Sequence, residues 1–216
     1  MTVHNLAETN SVLNHFISEI RDLEIQKDSM RFRRNIERIG EILSYEMSQK
    51  LSFRSKTVQT PLGEKNVSIV SEKLVLCSVL RAGLPLHQGV LNYFDQIENA
   101  FISAYRKHTT TEDFDIKVEY LASPSLEGKT VILADPMLAT GSSLVAVLKA
   151  LKNMGNIKQI HIVSVIAARE GVEFVAKHFP ENSHLWVATI DADLNSKGYI
   201  VPGLGDAGDL AFGEKI

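Results

Sequence analysis

Phe32, Ile36, Ile39, Leu43 and Met47 recur at intervals of three or four, which places them on one face of an amphipathic helix. The spacing predicts a helical N-terminal region over about residues 11–50. Segments 56–60 and 67–70 then flank the turn signal Pro61-Leu62-Gly63, as the arms of a β-hairpin do. From residue 73 the pattern changes to short apolar runs alternating with helical periodicity. Runs 73–79, 130–134 and 159–167 are followed by helical stretches 84–94, 142–154 and 171–178, and 185–190 adds another strand. This alternation predicts an α/β fold, a mostly parallel central sheet flanked by helices. Ligands of such sheets bind beyond the carboxyl ends of strands, where the strand order reverses. The loops after Val79, Ala134 and Ile190 are therefore the places to look.

Composition narrows this picture. The chain has 216 residues, 44% of them hydrophobic, and no polar linker or low-complexity tract divides it, so one domain over 1–216 is expected. A net charge of -3 gives no electrostatic reason to expect nucleic acid or another polyanion as a partner, so any phosphate must be held locally. Residues 1–11 lack a basic segment followed by an apolar run, and no stretch approaches the roughly 18 apolar residues of a membrane span. A cytoplasmic protein without a membrane partner is expected. Cys77, the single cysteine, lies in the apolar run 74–80 and reads as a buried structural thiol. The seven histidines show no zinc-ligand spacing, which argues against a structural transition-metal site.

The most informative segment is Val131-Ile132-Leu133-Ala134-Asp135-Pro136-Met137-Leu138-Ala139-Thr140-Gly141-Ser142-Ser143. It reads as a buried strand, an acidic end, a tight loop and a helix start. A helix N-terminus offers unpaired N–H groups and a positive dipole end, Gly141 permits close backbone approach, and the Thr140, Ser142 and Ser143 hydroxyls can donate hydrogen bonds. A phosphomonoester fits those needs, although a Ser/Thr helix cap after an ordinary strand would give Thr-Gly-Ser as well. The lysine of a Walker A loop and the Gly-x-Gly-x-x-Gly pattern are both missing, so nucleoside triphosphate hydrolysis and dinucleotide binding lose their best support.

Strand, Asp135, short loop and Thr140-Gly141 together resemble the 5-phosphoribosyl 1-diphosphate (PRPP) motif of type I phosphoribosyltransferases. Most members carry two adjacent acidic residues here. This chain has Asp135 followed by Pro136, and the form Asp-Pro-Met-Leu-Ala-Thr-Gly is that of the uracil-specific branch. The resemblance implies the type I phosphoribosyltransferase fold, with PRPP held by Asp135, Pro136, Met137, Leu138, Ala139, Thr140, Gly141, Ser142 and Ser143. It also gives meaning to two arginines that alone would read as surface ion pairs. Ser78-Val79-Leu80-Arg81-Ala82-Gly83 follows a strand, and Tyr105-Arg106 ends the apolar segment 101–104. Uracil phosphoribosyltransferases carry an Arg-Ala-Gly loop and a Tyr-Arg pair in this chain order, which implies that Arg81 and Arg106 contact the diphosphate.

Near the C-terminus, residues 198–209 pack four glycines and a proline into a stretch that cannot be a regular helix or central strand. Uracil presents two carbonyl acceptors flanking an N3–H donor, and a backbone turn exposing N–H and C=O groups can meet that pattern. The stretch resembles the uracil-binding hood of the family, about residues 191–216, which implies base contacts from Tyr199, Ile200, Gly205, Asp206 and Ala207, with Asp206 facing PRPP as well.

By this resemblance the chain converts uracil and PRPP to UMP and diphosphate in pyrimidine salvage. Arg81, Arg106, Asp135 and Asp206 are the expected catalytic residues. Mg²⁺ is the expected cofactor, held mainly by substrate oxygens and water. A homodimer or higher homo-oligomer and a GTP effector are implied partners. Two other readings stand beside this one: a phosphoribosyltransferase for another base, and an RNA-binding regulator of pyrimidine genes. The latter rests on Arg31, Arg33, Arg34 and Arg38, which equally suit the solvated side of a helix.

Overall fold

The computed structural model describes residues 1–108 and 114–215, without the side chains of 104–117. A short strand β1 (Thr2–Asn5) leads to helices α1 (Leu13–Arg21) and α2 (Ser29–Ser48). Asp28 starts α2 by accepting hydrogen bonds from the amides of Met30 and Arg31 at 3.0 and 3.1 Å. The hairpin of β2 (Phe53–Thr60) and β3 (Gly63–Val70) forms its own two-stranded sheet, with most residues exposed. Then follow β4 (Leu74–Leu80), α3 (Gly83–Leu91), β5 (Glu98–His108), β6 (Phe114–Ala122), β7 (Thr130–Ala134), β8 (Met137–Leu138), α4 (Ser142–Leu151), β9 (Gln159–Ala168), α5 (Arg169–His178) and β10 (His184–Asp191). The chain closes with a small antiparallel pair, β11 (Asp193–Leu194) and β12 (Ile200–Val201), and helix α6 (Ala207–Phe212).

Eight strands form the central sheet in the order β1-β10-β9-β7-β4-β5-β6, with β8 beside β9. All its pairings are parallel except β5 with β6. The mostly parallel sheet predicted from sequence is therefore what forms, and the predicted hairpin stands apart from it. The two-residue period of the strands divides the core. Leu74, Leu76, Ile132, Val163 and Trp186 face α1, α2, α3 and α6, whereas Val75, Cys77, Val131, Leu133, Ile162 and Leu185 face α4 and α5. On the first face α2 and α3 cross where a Cβ on Gly89 would lie 2.2 Å from Glu37 O and 3.0 Å from Gly40 Cα, so only hydrogen fits between them.

The connectivity reverses between β4 and β7. From β4 the chain moves to β5 through α3; from β7 it moves the other way, to β9 through α4. The loops leaving these neighbouring strands diverge and open a crevice at their carboxyl ends. Those loops carry Arg81 and Asp135.

Strand β1 lies ahead of the region read as helical, and its four residues pair with β10 from Thr2↔His184 to Asn5↔Val187. Four residues are too few for a periodicity, and only the available edge of β10 makes them a strand. The segment 101–104 belongs to the longer β5, which pairs with β6 through Arg106↔Ile116.

Candidate active site

Asp135 continues β7, its amide donating to Val163 O at 3.1 Å and its Oδ1 accepting from the Met137 amide at 3.3 Å. Burial pushes its carboxyl from 3.8 up to about 7, with the Met137 amide working in the opposite sense. Among the described residues no cationic side chain is paired with it. Asp135 at the mouth of the crevice is thus harder to ionise than a free carboxyl and would gain from a hydroxyl donor or a cation.

The turn after Asp135 is built partly as sheet. Pro136 O accepts from the amides of Val165 and Ile166 at 3.1 and 3.0 Å, and β8 pairs Met137 and Leu138 with Ile166 and Ala167. The Leu138 side chain is buried in the core, so this residue can meet a ligand only through its backbone. Thr140 Oγ1 lies 3.2 Å from Ser142 Oγ and accepts from the Ser142 amide at 3.4 Å. The cap of α4 is Gly141, with φ +81°, and no side chain caps the helix from that position. Beyond the Ser142 amide, which makes a long bond to Thr140, this glycine-capped start leaves first-turn amides and the dipole end available to an anion.

Two glycines set this loop against its surroundings. A Cβ on Gly171, in the first turn of α5, would lie 1.9 Å from Ala139 O, and one on Gly83 would lie 3.1 Å from Ala134 O. Gly171 escaped the sequence reading because its reason for being glycine lies 32 residues away.

The loop from β4 to α3 meets the C-terminal segment. Arg81 Nη2 lies 3.2 Å from Asp209 Oδ1 and donates to Gly213 O at 3.0 Å, while a Cβ on Gly208 would come within 3.9 Å of Ala82 Cβ. The first turn of α6 therefore rests on the Arg81-Ala82 loop. Behind that loop, Ser78 Oγ and His87 Nδ1 form a buried hydrogen bond of 2.6 Å that ties β4 to α3. Arg106 sits on β5, and its side chain lies outside the described residues.

In the C-terminal segment, Asp206 caps α6 by accepting from the amides of Gly208 and Asp209 at 2.8 and 3.1 Å, and its Oδ2 lies 3.2 Å from Lys215 Nζ. Ile200, Leu204 and Ala207 are buried in the same core cluster as α2, whereas Tyr199 is exposed. Gly205 has φ +95° and only Leu210 Cδ1 near the place of a Cβ, so its backbone borders open space. The segment is thus anchored through Ile200 and Ala207, and its backbone is open at Gly205.

The four arginines of α2 have partners within the chain. Arg31 pairs with Glu19 at 3.1 Å, Arg34 with Glu37 at 2.6 Å, Arg33 donates to Ala211 O at 2.6 Å, and Arg38 donates to Asn35 Oδ1 at 3.1 Å. Arg31 and Arg34 are matched by carboxylates, whereas Arg33 and Arg38 donate to neutral oxygens and keep their charge, so the face carries less free positive charge than four arginines in the sequence suggest.

Comparison with known proteins agrees with this architecture. The model of the uracil phosphoribosyltransferase family matches residues 7–214. A uracil phosphoribosyltransferase from Porphyromonas gingivalis is 53% identical over 216 residues, the full length of both chains. One from Pyrococcus furiosus is 38% identical over 212 residues, covering 97% of this chain and 89% of that one. A solved structure of an Aquifex aeolicus protein superposes with a TM-score of 0.87 at 29% identity, covering all of both chains. A hypoxanthine phosphoribosyltransferase from Staphylococcus aureus, at TM-score 0.52 and 16% identity over 86% of this chain and 84% of that one, shares the fold. With a family match over nearly its whole length and a full-length relative identical at more than half of its positions, this chain belongs to the uracil phosphoribosyltransferase family.

Proposed function

We propose that this protein transfers the phosphoribosyl group of PRPP to N1 of uracil, giving UMP and diphosphate, in the crevice between the loops that leave β4 and β7. The observation that carries this reading is the meeting of three elements there: the glycine-capped start of α4, the Arg81 loop, and the glycine-rich turn ahead of α6.

In this reading the amides and hydroxyls of 139–143 hold the 5′-phosphate and Asp135 meets the ribose hydroxyls. Arg81 turns from Asp209 and Gly213 O toward the diphosphate, where its fork of donors and that of Arg106 offset charge building on the leaving group. The ribose gains positive charge as the C1′–O bond breaks, so positioning and electrostatics supply most of the catalysis. The backbone about Ile200, Gly205 and Ala207 reads the uracil edge, and Asp206 sets the turn by capping α6. Cytosine would leave buried backbone groups of this turn unpaired, a mismatch that can discriminate by roughly 10⁴ or more.

Mg²⁺ bound to PRPP would add positive charge against the diphosphate and help order the donor. Asp135 suits that ion because its carboxylate, disfavoured by burial, is stabilised by any cation brought beside it. Exposed Phe53 and Leu62 on the hairpin supply apolar surface for association with further copies of the chain.

The test is incubation with uracil, PRPP and Mg²⁺ while UMP and diphosphate are both followed, with cytosine, orotate and hypoxanthine as competitors. Equal amounts of UMP and diphosphate are expected, with little effect from the other bases. Absence of UMP at saturating substrate would overturn the reading.

A further inference from the structure

The turn assigned above to base recognition does not hold itself. Between Ile200 and Gly205 lies Gly203, with φ +64° and so tight a fold that an added Cβ would meet Ile200 O at 2.0 Å. Both backbone polar groups of Gly203 are engaged from elsewhere in the chain. Its amide donates to Asp191 Oδ2 at 2.8 Å, and its carbonyl accepts from Arg21 Nη1 at 2.9 Å. Arg21 also grips Asp191 with both arms of its guanidinium, Nη1 to Oδ2 at 2.8 Å and Nη2 to Oδ1 at 2.7 Å. The four bonds close a ring over three groups: the end of α1, the end of β10 and the turn. Next along the chain, the Gln26 amide nitrogen donates to Leu204 O at 2.9 Å and to Ile20 O at 3.0 Å in the orientation that satisfies both of its ends.

This arrangement has the marks of a device that sets position. The Asp191 side chain is only 8% exposed, so its charge needs a partner. Burial works to raise its pKa, but the hydrogen bonds from Arg21 and Gly203 and the charge of Arg21 outweigh it and hold the carboxyl below its ordinary value. A bidentate arginine fork fixes angle as well as distance, which a lysine cannot do. Gly203 is two residues from Gly205 and three from Ile200, so a shift at Gly203 moves both flanks of the turn.

We propose that Arg21 and Asp191 are positioning residues for the base: they fix Gly203, and through it the backbone groups of Ile200 and 205–207 that meet the pyrimidine edge. The inference rests on the reading of 199–207 as the base site. It gives the N-terminal helices a task in substrate selection, as the far wall of a turn that lies at the other end of the chain.

Steady-state kinetics on Arg21→Met, Arg21→Lys and Asp191→Asn test this, with KM for uracil and KM for PRPP measured separately and thermal midpoints recorded. Arg21→Met is expected to raise KM for uracil by about 10-fold or more, the scale of a lost hydrogen bond to a charged group. KM for PRPP should stay within about twofold, and Arg21→Lys, which keeps the charge and loses the fork, should fall between wild type and Arg21→Met. Discrimination against cytosine should weaken in the same order. Should Arg21→Met not fold, Arg21→Lys and Asp191→Asn decide the matter. An unchanged KM for uracil in the folded variants, or a parallel rise in both KM values with a lowered thermal midpoint, overturns the proposal. Photo-crosslinking of 5-iodouridine monophosphate to wild-type protein separates the two layers. Crosslinks within 199–207 keep the base-site reading even where the kinetic result refutes the clamp, and crosslinks elsewhere refute that reading.

Discussion

Replacing Asp135 by asparagine should make the ligand-free protein more stable while abolishing turnover, and the gain should depend on pH in a defined direction. Burial raises this carboxyl from 3.8 to about 7. A group whose folded pKa is raised in this way ionises more readily in the unfolded chain. The stability it permits at low pH is lost as pH climbs from 3.8 to about 7, and the full penalty applies above that window. A pKa displacement of that size corresponds to a ceiling of ~4 kcal/mol. The carboxylate keeps partial contact with solvent at the crevice, which screens it, so ~2–4 kcal/mol is the expected gain at pH 8. Asparagine keeps an oxygen for the Met137 amide, which isolates the effect of charge. Urea denaturation of both proteins at pH 8 and pH 4 measures it, with midpoints compared at equal slope. The difference should shrink below ~1 kcal/mol at pH 4, where the folded carboxyl is protonated and the unfolded one is only about half ionised. No gain at pH 8, or the same gain at both pH values, would refute the reasoning, the second by tracing the effect to packing.

Other substitutions probe neighbouring parts of the site. Gly171→Ala puts a methyl 1.9 Å from Ala139 O, so the loop or α5 must shift. Initial-rate kinetics should show KM for PRPP raised ~10-fold with a stability loss of ~1–3 kcal/mol. Asp206→Ala removes the cap of α6 and should cost ~1 kcal/mol. It should also remove most turnover, while far-UV circular dichroism stays that of wild type; wild-type turnover would contradict the role given to this residue. Cys77, fully buried with its thiol pushed up to about 12, should resist iodoacetamide in the native protein and react once the chain is unfolded.

Most of the sheet is legible in the sequence because burial writes itself locally. The run 130–134 matches β7 at both ends, and the five apolar positions first noted on α2 are all buried. The strand β6 was legible too: Phe114, Ile116, Val118 and Tyr120 alternate with polar residues, a period-two signal absent from the expectation. The candidate phosphate loop is legible as a shape in the same way, since an acidic strand end and a glycine before a helix are consequences of neighbouring residues. What no pattern shows is which distant groups meet. Arg81 and Asp209 lie 128 positions apart, Arg21 and Asp191 170.

The sequence by itself determined the alternation of strands and helices, the helix start that can receive a phosphate, and, through resemblance, the family. Each follows from steric and hydrogen-bonding preferences that act over a few residues. Only the tertiary structure decided that β1 finds an edge on β10, that Gly171 must be glycine, and that helix α1 grips the turn before α6. Those outcomes depend on surfaces that exist only after the sheet has formed, because a contact between remote segments is set by the geometry of everything packed between them.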